Sequence, residues 1–297
     1  MNEIARIDTI HQFNDYMGVQ TQHPLVSVIR LEDCHPMQLR RVNYGLYYVT
    51  LKNVNCGPLR YGINYYDYQN GTIVAVAPRQ VFGVESDGPV QPLGWALAFH
   101  PDLIYGTELG QTIREYSFFS YEANEALHIS EKEREIIESC FQNIRQELDR
   151  EIDKRTNQIV ARSIALLLDY CMRFYDRQFI TRHKANKDIL SRFESLLEEY
   201  MQSGKAHLQG FPSVAYCAGA LCLSPNYFGD LIKKEMGNTA QEYIQLKLIS
   251  VAKEKLSGTG MSVTEIAEEL GFKYPTHFTR LFKKCVGVSP LEYRISC

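Results

Sequence analysis

Ser262-Val263-Thr264-Glu265-Ile266-Ala267-Glu268-Glu269-Leu270-Gly271-Phe272, continued by Lys273-Tyr274-Pro275-Thr276-His277-Phe278-Thr279-Arg280-Leu281-Phe282-Lys283-Lys284, spells out two short helices and the turn between them. Ser262 with Glu265 three residues on is a capping box in form, since each side chain can take an N–H orphaned at a helix start. Behind it Val263, Ile266, Ala267 and Leu270 recur at the helical spacing and make one apolar face. Gly271 adopts positive φ without steric cost and ends that helix. Pro275 suits the first turn of a second helix, where its missing N–H removes no bond. Phe278, Leu281 and Phe282, spaced i, i+3 and i+4, face the first helix across the small side chain of Ala267. Two short helices joined by such a turn form a helix-turn-helix. The outward face of the second carries Thr276, His277, Thr279, Arg280 and Lys283; Gly287 stops it, and Ser289-Pro290-Leu291-Glu292 opens a closing helix.

The same unit occurs earlier in the chain. Val214, Cys217, Ala218 and Leu221 match Val263, Ile266, Ala267 and Leu270 at an offset of 49. Phe228, Leu231, Ile232, Lys233, Lys234, Gly237, Thr239, Glu242 and Tyr243 match Phe278, Leu281, Phe282, Lys283, Lys284, Gly287, Ser289, Glu292 and Tyr293 at an offset of 50. One supersecondary unit is therefore used twice. In the first copy Ser224-Pro225 opens the second helix, with Asn226, Gly229, Asp230 and Lys233 outward. Residues 240–256 join the copies as one helix, apolar at Ile244, Leu248, Val251, Ala252 and Leu256, which fixes their spacing. An outward helix fits the ~12 Å major groove of B-DNA, and two held about 34 Å apart enter successive grooves on one face. A lone unit of this kind is weak support for DNA binding, and Lys233-Lys234 and Lys283-Lys284 also read as solvated helix ends; the duplication is what strengthens it. Residues 221–297 hold ten Lys/Arg against eight Asp/Glu, an excess of two. Phosphate contacts would then depend on geometry and helix N-termini more than on bulk charge.

Upstream the periodicity differs. Residues 24–120 carry short apolar or alternating runs, such as 46–51, 72–77 and 95–99, separated by Cys56-Gly57-Pro58, Gln69-Asn70-Gly71 and Asp87-Gly88-Pro89. This predicts an antiparallel barrel or sandwich. From Ser130 the period changes to about 3.6. A helix with Ile136, Ile137, Cys140, Phe141, Ile144 and Leu148 on one stripe precedes a second, about 158–179, apolar over a wider arc, and the two form a hairpin over about 130–179. The surplus apolar arc can pack on the barrel, on a second subunit, or on both; being wider than one barrel contact needs, it predicts a dimer. The polar run 181–187 is the linker between domains at 1–180 and 187–297.

With 297 residues there is room for two such domains. A hydrophobic content of 45% with 23% charged residues excludes a disordered chain, while a net charge of −3 offers no overall basic footprint. The eight cysteines contain no C-x-x-C pair, so neither a disulfide framework nor a zinc ribbon is expected. His11, His23, His35, His100 and His128 include no H-x-H pair, and no metal is expected. No signal-peptide pattern opens the chain and no uncharged apolar stretch reaches the ~18 residues of a membrane span, which predicts a cytoplasmic protein without membrane contact. An enzyme with a catalytic barrel and a helical appendage is the rival reading. It would call for paired acid–base or nucleophile–His motifs, and none stands out, so no catalytic residue and no cofactor are assigned.

Residues from about 187 to 297 resemble the DNA-binding domain of AraC/XylS-family transcription regulators. The resemblance is carried by Ser262 to Ala267, Leu270-Gly271-Phe272, Phe278 to Lys284 and Gly287 to Arg294. It implies base-reading positions at Asn226, Gly229 and Asp230 in the first copy and at Pro275, Thr276, Thr279 and Arg280 in the second. The expected DNA-binding set is Ser224, Asn226, Tyr227, Asp230, Lys233, Lys234, Tyr274, Thr276, His277, Thr279, Arg280, Lys283 and Lys284. Two positions depart from the pattern: Cys222 stands at the usual turn residue of the first copy, and Tyr274 stands where a small polar cap is usual. The resemblance implies an α+β chain: a cupin-like antiparallel β-barrel with the helical hairpin, serving sensing and dimerisation, then an all-α domain with two helix-turn-helix units. The expected partners are double-stranded DNA, a second copy, RNA polymerase and a small-molecule effector such as a sugar. The aromatic cluster Tyr61, Tyr65, Tyr66, Tyr68 and Trp95 reads either as core or subunit contact, the commoner role for any one of them, or as a pocket lining, with Tyr61, Tyr65 and Trp95 as candidate effector-binding residues.

Overall fold

The computed structural model describes residues 5–38, 41–52, 59–61, 64–66, 71–83, 88–121, 125–181 and 183–296. They fall into two compact units, Met1–Thr181 and Arg182–Cys297.

The first unit contains strands β1 (Ala5–Ile7), β2 (Val26–Arg30), β3 (Met37–Gln38), β4 (Val42–Tyr44), β5 (Tyr47–Lys52), β6 (Leu59–Tyr61), β7 (Asn64–Tyr66), β8 (Thr72–Val76), β9 (Gln80–Phe82), β10 (Pro89–Val90), β11 (Gly94–Phe99) and β12 (Leu127–His128). Its helices are α1 (Ile10–Met17), α2 (Pro101–Ile104), α3 (Glu108–Thr112), α4 (Glu131–Leu148) and α5 (Thr156–Thr181). The central sheet runs β12-β8-β5-β11-β2 with every pair antiparallel. A three-stranded sheet, β1-β4-β9, includes the parallel pair β1–β4. The remaining sheets are the pairs β10-β3 and β6-β7. Among the described residues these are separate antiparallel and mixed sheets, and no closed barrel forms.

Side-chain alternation explains why the central sheet is dry on both faces. Ala96, Ala98, Tyr48, Val74, Val76 and Ile29 point into a core shared with Ile10, Phe13 and Leu46. Trp95 and Phe99, on the alternate positions of β11, turn the other way. Trp95 stacks on Phe141 of α4 at 5.9 Å, and Phe99 stacks on Tyr47 at 4.9 Å. The hairpin α4–α5 thus covers the outer face with Ile137, Phe141, Ile144, Ile164, Leu167 and Leu168, all inaccessible to solvent. Helix α5 also grips the edge strand. The amide of His128 donates to Gln178 Oε1 at 2.7 Å, and Arg177 donates to the His128 carbonyl at 2.7 Å and to both oxygens of Glu133. Glu133 belongs to the Ser130 capping box that starts α4, so one guanidinium ties helix, strand and cap together.

The second unit is helical: α6 (His183–Gln202), α7 (Lys205–Gln209), α8 (Val214–Ala220), α9 (Pro225–Met236), α10 (Ala240–Gly258), α11 (Val263–Glu269), α12 (Pro275–Val286) and α13 (Pro290–Ser296). Leu248, Ile249, Ala252 and Leu256 of α10 share one core with Ile266, Ala267, Phe278 and Phe282. Ile249 belongs to that core, whereas Val251 is only partly buried. Among the described residues no helix is long and apolar enough to cross a membrane, and no cluster of His, Cys, Asp and Glu could hold a metal ion.

Candidate nucleic-acid interface

Helices α8 and α9, and again α11 and α12, are joined by turns with the same bonding. In the first pair Leu223 N–H donates to Ala218 O at 2.9 Å and Cys222 N–H to Gly219 O at 3.1 Å. In the second, Phe272 N–H donates to Ala267 O at 2.9 Å and Gly271 N–H to Glu268 O at 2.9 Å. The turn requires a left-handed residue, and the two copies supply it differently: Gly271 has φ 86°, and Cys222 has φ 59°. A side chain at Cys222 costs about 1–2 kcal/mol in that conformation. At Gly271 it would be worse, because a Cβ there would lie 2.5 Å from the Ala206 carbonyl oxygen and 2.8 Å from the Gly210 carbonyl carbon.

Below the turns the paired helices interlock through Cys217, Ala218, Phe228, Leu231 and Ile232 in the first pair and Ile266, Ala267, Phe278 and Phe282 in the second, none of them accessible to solvent. Each recognition helix ends on a left-handed glycine, Gly237 or Gly287, whose N–H caps the carbonyl of Lys233 or Lys283. The connector α10 starts with a Thr239–Glu242 capping box. The Glu242 carboxyl is held below the usual carboxylate range, first by the Thr239 backbone N–H and then by its hydroxyl, with Lys284 and Lys233 adding to the effect. Lysines from both recognition helices therefore bear on the start of the one helix that joins them. At its other end, Arg294 of α13 donates to the carbonyls of Leu256 at 3.0 Å and Met261 at 2.6 Å, locking the end of α10 to the second pair.

The expected contact residues divide by exposure. Asn226, Lys233, Lys234, Tyr274, Thr276, His277, Arg280, Lys283 and Lys284 are exposed, and Asp230 and Thr279 are half-buried. The Thr279 hydroxyl donates to the Pro275 carbonyl at 3.1 Å, which engages it within its own helix. Ser224 and Tyr227 are each 4% exposed and offer DNA almost no side-chain surface, a correction to the expected set. Ser224 caps α9 by accepting the Tyr227 N–H at 3.2 Å, and Tyr227 shares the apolar face of Leu231, four residues on. The equivalent positions in the second copy, Tyr274 and His277, point outward instead. Tyr274 makes no side-chain cap; its ring meets His277 edge-on at 5.4 Å with the Lys273 ammonium 5.7 Å above it. Lys273 was outside the expected set, and its place directly before the cap is the signal that could have included it.

Of the expected effector residues, Trp95 is the one whose side chain is described. Trp95 is 6% exposed and packed between Phe141 and the guanidinium groups of Arg30 and Arg145, at 5.7 and 6.0 Å. It joins sheet to hairpin. The side chains of Tyr61, Tyr65, Tyr66 and Tyr68 lie outside the described residues.

Residues 217–296 match the family described as "Helix-turn-helix domain". The arabinose operon regulatory protein of Salmonella typhimurium is 36% identical over 84 residues, which are 28% of this chain and 30% of that protein. The HTH-type regulator YijO of Escherichia coli is 25% identical over 225 residues, 75% of this chain and 76% of that one. A solved C-terminal domain of AraT, a response regulator from Geobacillus stearothermophilus, is 29% identical, covers 37% of this chain and 85% of its own, and superposes with a TM-score of 0.32. The match to the arabinose regulator thus spans less than a third of that protein. The second unit carries a helix-turn-helix DNA-binding domain. It is of the AraC type, and the family match lies within it.

Proposed function

We propose that the chain is a transcription regulator that binds promoter DNA through two helix-turn-helix units, with α9 and α12 in successive major grooves. The observation that carries this reading is the repetition of one turn, bond for bond, on both sides of a rigid connector, with exposed Lys233, Lys234, Arg280, Lys283 and Lys284 on the two recognition helices. The kinship of the second unit with the arabinose regulator supports the same reading. In this proposal the first unit is a cupin-like sensing and dimerisation module that responds to a small molecule, the protein works in the cytoplasm as a homodimer, and RNA polymerase is its downstream partner. No catalytic role is assigned to it. Gel shifts of the full chain against its own upstream regions test the proposal. Binding should weaken steeply with salt, because each Lys or Arg contact to phosphate releases counterions. Absence of binding to every such region at low salt would sink it.

A further inference from the structure

The interior faced by the central sheet is filled by side chains: Ile10, Phe13, Leu46, Ala96 and Ala98 are wholly buried there. Outside the sheets, between α5 and the α2–α3 segment, lies a concavity of about 720 Å³. That is within the ~300–1,000 Å³ of typical ligand sites.

Its lining carries both signs of charge on opposed elements. The α5 side presents Lys154, Arg162 and Asp169, and the α2–α3 side presents Asp102, Glu108 and Glu115; Asp102 lies 3.4 Å from His100 and Asp169 accepts from Tyr116, which leaves Lys154, Arg162, Glu108 and Glu115. None of these four forms an ion pair among the described residues. Tyr116 donates to Asp169 Oδ1 at 2.8 Å and holds the two sides together at one place in the groove. Apolar surface is exposed in the same groove, with Tyr105 at 89% and Leu166 at 50%.

We propose that this groove binds a zwitterionic small molecule, an α-amino acid, whose carboxylate meets the Lys154–Arg162 side, whose ammonium meets Glu108 and Glu115, and whose side chain lies against Tyr105 and Leu166. A charged hydrogen bond is stronger than a neutral one, and a guanidinium takes a carboxylate in bidentate fashion. A ligand carrying only negative charge would face the two glutamates without compensation. One carrying only positive charge would face Lys154 and Arg162 in the same way. A neutral sugar would leave all four charges unmatched, so complementarity selects the zwitterion. The inference rests on the reading of the first unit as a sensor and names the chemistry sensed.

Titration calorimetry of the full chain against the twenty amino acids, with putrescine, succinate and arabinose beside them, tests it. At least one amino acid should bind with a Kd below about 1 mM, and the three other compounds should not bind. Arg162→Gln and Glu115→Gln should each weaken that binding by about tenfold or more while leaving the melting temperature unchanged, since both side chains are exposed. The inference fails if no amino acid binds, if putrescine or succinate binds as well as the best amino acid, or if the two variants bind it like the parent. It also fails if the variants only turn a dimer into a monomer, because the groove would then belong to a second copy. Gel shifts on the same preparations separate the two proposals: intact DNA binding without amino-acid binding overturns the groove alone, and lost DNA binding overturns the regulator.

Discussion

Arg280 stands exposed on α12 with the one long bidentate donor at an expected base-reading position. Arg280→Ala should cost about 1–3 kcal/mol on the cognate site and relax preference at one base pair, read by titrating site variants. Lys284→Ala should behave differently. A side chain that meets only phosphate loses affinity evenly across sequences and lowers the salt slope by about one unit, so the same titration at several salt concentrations separates the two roles. Cys222 lends itself to a stability test. Its left-handed backbone and exposed side chain mean that Cys222→Gly should raise the unfolding free energy by about 0.5–1 kcal/mol, measured by urea denaturation. At this scale the sequence is legible wherever the cause is local. Ser262, Glu265, Gly271 and Gly287 could be read from their neighbours alone. Tyr227 is legible in the same way, since its i+4 relation to Leu231 places it on the apolar face.

The caps of the second unit share one chemistry. Glu242, Glu265 and Glu292 each accept an N–H from Thr239, Ser262 or Ser289, and that bond holds each carboxyl below the usual range. Because the folded values are depressed, these carboxylates contribute stability that is fully present above the unfolded value of about 4.3 and is lost as pH falls through the lower folded values. Helical circular dichroism during urea unfolding should therefore give a constant midpoint from pH 7 to about 5 and a falling one toward pH 3; a constant midpoint throughout would remove these caps from the account. The two recognition helices should also differ in what they read. Gly229 has no side chain and Asp230 can only accept, whereas α12 offers Arg280, His277 and Tyr274. Selection from random DNA should yield a half-site under α12 that carries more information than the one under α9. The sheets were less legible than the helices because pairing is long-range. Nothing near Ala5 announces Val42 as its parallel partner, and the doubly buried faces of β5 and β11 hide the alternation that marks a strand with one wet side.

For the molecule as a whole, the hairpin leaves apolar surface uncovered. Ile159 on α5 is 43% exposed and Ile136 on α4 is 37% exposed. A dimer through this face is the expected arrangement, and sedimentation at micromolar concentration should report twice the 34.2 kDa chain mass. A monomer both with and without DNA would refute it. The internal duplication was the largest signal in the sequence because it shows itself at any distance along the chain. The occupant of the N-terminal unit had no such signature, since the groove residues Glu108, Glu115, Lys154 and Arg162 come from separate segments that only folding brings together. The duplication has one further consequence, which concerns history rather than energy. At Gly271 the carbonyls of α7 and its following turn fill the space a side chain would need, so that copy of the turn is closed to substitution. At Cys222 the side chain already stands in solvent. Two halves that began alike have thus been left unequally free to drift. A saturation library should accept many residues at 222 and almost none at 271, so further change in this turn is open mainly to the first half.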